Sequence, residues 1–276
     1  MSIRVAIQGY EGSFHDIVAR EYFGSEVLIV PCDTFKEVAR LVERGEVERG
    51  VMAIENSIAG SILPNYRLLQ NDNLQVAGEA ILTIRQNLLA LPGVRLEDIR
   101  EVHSHQMALM QCDEFLENRG WRLVETEDTA LSAKQLAADG DPHRAVVASR
   151  LAAELFGLEV LAGDVHTIKN NYTRFMILKR HDHSIAPDAD KASLYFSARH
   201  EQGALLRVLR EMGSNAVNLT KLQSYPIPSE PWHYMFHVDM EFDSIYEWVR
   251  LLDRLQEVAQ SVHVYGVYKR GREFEG

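Results

Sequence analysis

Only two cysteines, Cys32 and Cys112, occur in 276 residues. Two cannot build a disulfide framework, and without a CxxC pair they give no zinc site. A reduced, cytoplasmic protein is the expectation. No run approaches the roughly 18 consecutive apolar residues of a spanning helix. The most apolar stretch, 145–163, is broken by Arg150, Glu154 and Glu159. The apolar segment after Arg4 is too short for a secretory signal and reads as a strand. Basic residues are outnumbered, 29 Lys and Arg against 40 Asp and Glu, for a formal charge of −11. That balance argues against a nucleic-acid partner and against an anionic membrane surface. Neither a tandem repeat nor a low-complexity tract is visible. What is present suffices for a real core: 46% hydrophobic and 25% charged residues, in a chain long enough for two domains.

From the N-terminus to about residue 180, β-rich runs alternate with helical patterns. Arg4–Gln8 and Val27–Pro31 read as strands, followed by helices over 13–24 and 34–45 and a buried strand at 51–56. The same rhythm returns with a strand at 100–105, a helix over 107–120, a strand at 121–127 and a helix that Asp128 or Thr129 caps. A strand at 144–149, a helix at 149–158 and a strand at 159–163 complete the series. Such alternation predicts largely parallel sheets covered by helices. Periodicity stops around 181–191, where a linker is expected. The tail then reads βαββαβ, the ferredoxin-like order, with two helices on one face of an antiparallel sheet.

Polar clusters fall where this pattern passes from strand to helix. Gly-Tyr-Glu-Gly-Ser-Phe-His-Asp (9–16) offers Ser13 and helix N-terminal N–H groups to an anion, or is an ordinary turn with Ser13 as cap. Glu55, Asn56 and Ser57 end an apolar strand ahead of Gly60, at the strand end where open α/β sheets bind ligands. Ser104 and His105 open another helix, with Gln111 expected on the same face as Ser104. Cys112 with His105 is conceivable as a nucleophilic pair, but a Cys in an apolar helix is usually a small buried hydrophobe. No HExxH-like spacing supports a metal. Arg174, early in an apolar strand, requires an anionic ligand or a surface carboxylate.

In this order the motifs at 9–16, 54–60, 104–112 and 128–133, and above all Asn170-Asn171-Tyr172-Thr173-Arg174-Phe175, resemble the prephenate dehydratase family. The tail resembles an ACT regulatory domain, through Gly203-Ala204-Leu205 and Asn218-Leu219-Thr220. The resemblance implies an α/β fold with a two-lobed, type 2 periplasmic-binding-protein-like catalytic domain over 1–180. Lobe one spans about 1–80 plus 171–180 and lobe two about 81–170. A linker at 181–190 and a ferredoxin-like ACT domain at 191–276 follow.

The implied reaction converts prephenate to phenylpyruvate, carbon dioxide and water, with inhibition by L-phenylalanine. Aromatisation drives it, so no cofactor and no metal are expected. The leaving hydroxide needs a proton or a hydrogen bond. Thr173 is assigned that contact, Glu55 the role of ultimate acid, and Arg174 that of a carboxylate clamp. Ser13, Asn56, Ser57, Gly60, Ser104, Gln111, Thr129 and Phe175 are expected to hold the substrate. Gly203, Ala204, Leu205, Asn218 and Leu219 are expected to hold L-phenylalanine at a domain interface. A homodimer or homotetramer is implied. Arogenate dehydratase and a non-catalytic amino-acid sensor are the competing readings.

Four positions depart from the family pattern. His15 replaces a serine, and Gln106-Met107 breaks the usual Pro-Gln. Thr167 replaces an aspartate, and Gln223-Ser224-Tyr225-Pro226 lacks the usual Glu and Arg of the effector motif.

Overall fold

The structure, a computed structural model, describes residues 2–215, 217–227, 230 and 232–276. Strand β1 (Arg4–Gln8) passes through Gly9 and Gly12, both at positive φ, into α1 (Phe14–Phe23). There follow β2 (Leu28–Cys32), α2 (Phe35–Glu43), β3 (Arg49–Asn56), β4 (Gly60–Ser61), α3 (Leu63–Leu68) and β5 (Leu74–Thr83). The middle of the chain holds β6 (Asn87–Ala90), β7 (Glu101–His105), α4 (Gln106–Gln111), α5 (Asp113–Leu116) and β8 (Arg122–Thr126). It continues with α6 (Thr129–Asp139), β9 (Arg144–Ala148), α7 (Arg150–Phe156) and β10 (Glu159–Ala162). After β11 (Tyr172–Arg180) come β12 (Lys191–Ser197), α8 (Ala204–Ser214), β13 (Asn218–Pro226) and β14 (Tyr234–Glu241). Helix α9 (Ile245–Val258), β15 (Ser261–Tyr268) and β16 (Arg272–Glu275) close the chain.

Three sheets result. The first runs β16-β5-β11-β3-β1-β2, with β4 against β3, and the second runs β10-β6-β9-β7-β8. Parallel pairing holds for β2-β1-β3 and for β8-β7-β9. The second sheet is nevertheless mixed, because β6 and β10 pair antiparallel. The expectation of largely parallel sheets did not foresee this antiparallel pairing; the strand at β10 was expected, the one at β6 was not. Segment 87–90 (Asn-Leu-Leu-Ala) is buried throughout and has no alternation to announce it. The helix expected over 107–120 is likewise interrupted. Cys112, at φ −111° and ψ 17°, divides it into α4 and α5.

Two compact units form. One comprises residues up to Ile62, Ala80–Phe175 and Glu273–Gly276; the other comprises Leu63–Glu79 and Met176–Arg272. They interleave along the chain, whereas the sequence reading divides it near 180. Residues 181–186 carry no regular structure.

In the second unit the antiparallel sheet runs β13-β14-β12-β15, the ferredoxin-like order. Period-2 alternation sorts its side chains. Ala192, Leu194, Phe196, Val238 and Met240 pack with Val208 of α8 and Trp248, Leu251 and Leu255 of α9 into the core. Lys191, Ser193, His237, Asp239, Tyr265 and Tyr268 lie on the opposite face, yet each is also buried. Residues 63–79 account for this. The Tyr66 ring meets that of His237 at 4.6 Å, tilted by 38°, and Lys191 Nζ donates to Glu79 Oε1 at 2.8 Å with both side chains at least nine-tenths buried.

Removing one partner of a buried ion pair strands the other charge. Lys191→Met is therefore expected to cost roughly 3 kcal/mol in urea unfolding, with much of the loss recovered when Glu79→Gln is added.

His237 is held neutral: burial pushes its pKa down from 6.5 to about 4, and Nδ1 meets Tyr265 Oη at 2.5 Å. Between pH 4 and 6.5 the unfolded chain takes up a proton that the folded chain refuses. The contribution is therefore complete above pH 6.5 and is lost on acidification. Between pH 7 and 4.5 this term removes roughly 2–3 kcal/mol. The His237→Phe/Tyr265→Phe pair should lose correspondingly less stability over that interval.

Candidate active site

Helices start where the parallel strands end, and their caps are written in the sequence. Ser13 Oγ accepts from Asp16 N at α1, and Asp128 Oδ1 accepts from Leu131 N at α6. Ser149 caps α7, accepting from Ala152 N while its own Oγ donates to Gly12 O at 2.5 Å. That last bond joins the loop after β1 to the layer built on the second sheet. A Cβ on Gly12, at φ +86°, would lie 3.0 Å from Ala152 Cα, and one on Gly9 2.9 Å from Asp128 Oδ2. Both glycines let the two layers approach.

Between these layers lies a cavity of about 370 Å³. Ser13, His15, Ala53, Asn56, Thr173 and Phe175 line one side; Gln86, His105, Gln111, Glu127, Asp128 and Thr129 line the other. Asn56 organises the first side. Its Nδ2 donates to Asn171 Oδ1 at 2.7 Å, Tyr172 O at 3.1 Å and Thr173 Oγ1 at 3.0 Å. Its Oδ1 accepts from Ile58 N and Ala59 N. Because Thr173 Oγ1 receives an N–H, its own hydrogen is available to a ligand.

Electrostatically the wall is unusual for a site meant to hold anions. Among the described residues it contains Glu127 and Asp128 but no Lys or Arg. Positive potential comes instead from the N-termini of α1 and α6. Burial raises the Asp128 pKa above the ordinary carboxylate value. Burial also pushes His15 down to about 3, so its imidazole is neutral; its enclosed Nε2 has no partner among the described residues. Its ring meets Phe175 edge-on at 5.0 Å.

Of the expected site residues, Ser13, Asn56, Gln111, Thr129, Thr173 and Phe175 share this cavity. Five do not line it. Arg174, between Thr173 and Phe175 on β11, points to the other face, with Nη1 4.0 Å from Glu55 Oε2. Glu55 itself is 34% exposed. Ser57 Oγ accepts from Tyr172 N at 2.9 Å, and Gly60 forms β4. Ser104 is fully buried in β7, not on a helix with Gln111, and donates to Val147 O at 2.6 Å. The residues expected as carboxylate clamp and ultimate acid, Arg174 and Glu55, and three expected substrate contacts, Ser57, Gly60 and Ser104, thus lie outside the lining of this cavity. Sequence reasoning missed Gln86, His105 as a wall residue, and Glu127. Glu127 could have been found beside the cap it precedes. Gln86 stands between Arg85 and Asn87, outside every motif, and gave no signal.

The expected effector residues also separate. Gly203, Ala204 and Leu205 line a cavity of about 490 Å³ with His200, Trp232 and Phe236. Asn218 lines another, of about 320 Å³, with Asp190, Glu241 and Lys269. Leu219 packs against the core.

The prephenate dehydratase family matches residues 5–183. The chain belongs to that family. A plant relative, arogenate dehydratase/prephenate dehydratase 2 of Arabidopsis thaliana, is 37% identical over 96% of this chain and 72% of its own. The solved prephenate dehydratase of Arthrobacter aurescens, in complex with L-Phe, superposes with a TM-score of 0.86 at 26% identity, over 97% of this chain and 90% of its own. A structure described as GqqA, a novel type of quorum quenching acylase, gives a TM-score of 0.87 at 31% identity, over 97% and 98%. An acylase would need an activated nucleophile. Here Ser13 Oγ and His105 Nδ1 each serve a helix N-terminus, and burial pushes the Cys112 thiol up to about 12.

Gly12 is where the backbones of the two layers come close. Gly12→Ala combines a left-handed backbone with a clash, and is expected to lower stability by roughly 2 kcal/mol in urea titration. The same substitution at Gly93, at φ +80° with open space around it, should cost less.

Proposed function

We propose that the protein is a prephenate dehydratase of phenylalanine biosynthesis, inhibited by L-phenylalanine through its ferredoxin-like ACT domain. The observation that carries the catalytic reading is the Asn56–Thr173 hydrogen bond inside the cavity. Prephenate bears a carboxylate and a pyruvyl side chain on C1 and a hydroxyl on C4 of a non-aromatic ring. When the C1–carboxylate bond breaks, its electron pair enters the ring as carbon dioxide leaves. The C4–oxygen bond departs with its own pair, and a proton makes the leaving group water.

Thr173 donates to that oxygen while Asn56 holds the hydroxyl from behind. A threonine is a feeble acid, so its contribution is a hydrogen bond or relay that strengthens as charge develops on the oxygen. Ser13 and the N-terminus of α1, with Thr129 at α6, receive substrate carboxylates. The absence of Lys and Arg from the described wall suits a decarboxylation, because a tight ground-state clamp on the departing carboxylate would oppose it. The Glu55–Arg174 pair steadies β3 and β11 behind Asn56 and Thr173.

For the effector, support comes from the Arthrobacter aurescens relative in complex with L-Phe and from the cavity at Gly203. Gly203, at φ +77°, caps α8 and brings backbone to the cavity surface. Asn218 lines a different cavity of the same chain. A site using both therefore forms between two copies, which implies a homo-oligomer.

The test is phenylpyruvate formation from prephenate with and without L-phenylalanine. Thr173→Val should lower kcat by about 10²-fold or more with KM changed only a few-fold, while Thr173→Ser keeps much of the rate. A Thr173→Val enzyme with undiminished kcat would remove the residue from the mechanism. Turnover insensitive to L-phenylalanine would remove the regulatory half alone.

A further inference from the structure

Asp128 both caps a helix and reaches into the cavity, and the mechanism above does not use it. Its Oδ1 accepts from Leu131 N at 2.9 Å, and its backbone O accepts from Ser132 N and Ser132 Oγ. Oδ2 reaches toward the opposite layer. A Cβ on Gly9 would stand 2.9 Å from it and 3.7 Å from Ser13 Cβ. The side chain is only partly buried, lines the cavity with Ser13 and Thr129, and has no enclosed, unpaired atom. A carboxyl oxygen is thus open to a ligand at the place where two layers meet.

Charge makes that place a difficult one for the substrate. Prephenate brings two carboxylates, and Ser13 and Thr129, which on the dehydratase reading receive them, lie beside Asp128. Glu127 precedes it, and Tyr10, in the loop after β1, has its phenol pushed up by Glu127, burial, Asp33 and Asp128. The one group facing Asp128 that can carry positive charge is His105, which is exposed and whose Nδ1 accepts from Met107 N. Burial dominates at Asp128 and favours the neutral acid, against the helix N–H groups and His105. When a second carboxylate enters such a site with no cation between the two, one of them takes a proton. The resulting acid–carboxylate hydrogen bond is short and strong.

Resting on the dehydratase reading above, we propose that Asp128 is a substrate-binding residue in its neutral form: it takes a proton from solvent as substrate enters and donates it in a hydrogen bond to the carboxylate of the pyruvyl side chain. That carboxylate is kept in the product. The same bond to the C1 carboxylate would oppose its departure as carbon dioxide. The proton stays on Asp128 through the bond changes at C1 and C4 and returns to solvent when product leaves. A different proton, delivered at Thr173, turns the leaving group into water. Binding therefore weakens as pH rises, because an ionised Asp128 must first be protonated.

The experiment measures kcat and kcat/KM for prephenate from pH 6 to 8.5, with the non-enzymatic rate subtracted, in the wild type, Asp128→Asn and His105→Asn. Asparagine keeps the helix cap and offers an N–H that does not titrate. Wild-type kcat/KM should fall by about tenfold or more between pH 6 and pH 8, with kcat nearly level. In Asp128→Asn the fall should shrink below about threefold, with kcat largely kept and kcat/KM above the wild type's at pH 8.5. His105→Asn should retain the wild-type slope. Calorimetry with phenylpyruvate, in two buffers of different ionisation enthalpy, should show about one proton taken up by the wild type and none by Asp128→Asn. A helix cap alone would leave slope and proton count unchanged. The proposal is overturned if the slope survives in Asp128→Asn or vanishes in His105→Asn. It is equally overturned if Asp128→Asn loses kcat at every pH, the mark of a proton donor to the reaction, or if wild type binds phenylpyruvate without proton uptake. A wild type that does not turn over prephenate would instead sink the dehydratase reading.

Discussion

The wall of the cavity formed by β3 and β11 depends on one side-chain amide. Asn56, at the last position of β3, spends its donors on Asn171, Tyr172 and Thr173 and its oxygen on the backbone of the following turn. It thereby fixes the relation between two strands that meet only in the folded chain and orients the hydroxyl between them. An unconstrained threonine hydroxyl samples several rotors, and a hydrogen bond received at its oxygen removes most of that freedom. Glu55, Arg174 and Ser57 reinforce the same junction from outside the cavity.

The second unit meets a different constraint. Its sheet has an apolar face under two helices and a polar face that the alternation would leave in water. Residues 63–79 cover that polar face, so each group there must find a partner or remain neutral. Ser193 Oγ donates to Asp239 and meets Tyr268 Oη; Lys191 pairs with Glu79; His237 sheds its proton and meets Tyr265. Gly266 belongs to the same logic, since a Cβ there would run into Val76 O. The covering segment begins two residues after β4, in the turn that Asn56 holds. The chain segment on the second unit's sheet is thus continuous in sequence with the turn that Asn56 holds.

Much of this was legible from the sequence. Caps at Ser13, Asp128 and Ser149, glycines at strand ends, and the βαββαβ order of the tail follow from local rules that act within a few residues. Thr173 and Asn56 were recognisable because they belong to ordered motifs resembling a known family. Misplaced residues share a single cause. Arg174 and Ser104 lie within motifs, but a motif does not say which face of a strand reaches the cavity. Gln86 was invisible for the converse reason: it sits between Arg85 and Asn87 outside every motif, and the cavity wall reaches it only through the chain's passage from the first sheet to the second.

By itself, the sequence determined most of the elements, their caps and the family, because these rest on periodicity, on capping chemistry and on motifs short enough to read. Tertiary structure alone decided which polar groups converge. Asn56 meets Thr173 across 117 positions and Lys191 meets Glu79 across 112. Neither pairing has a local signature; each exists because folding removed its members from water and left them no other partner as favourable.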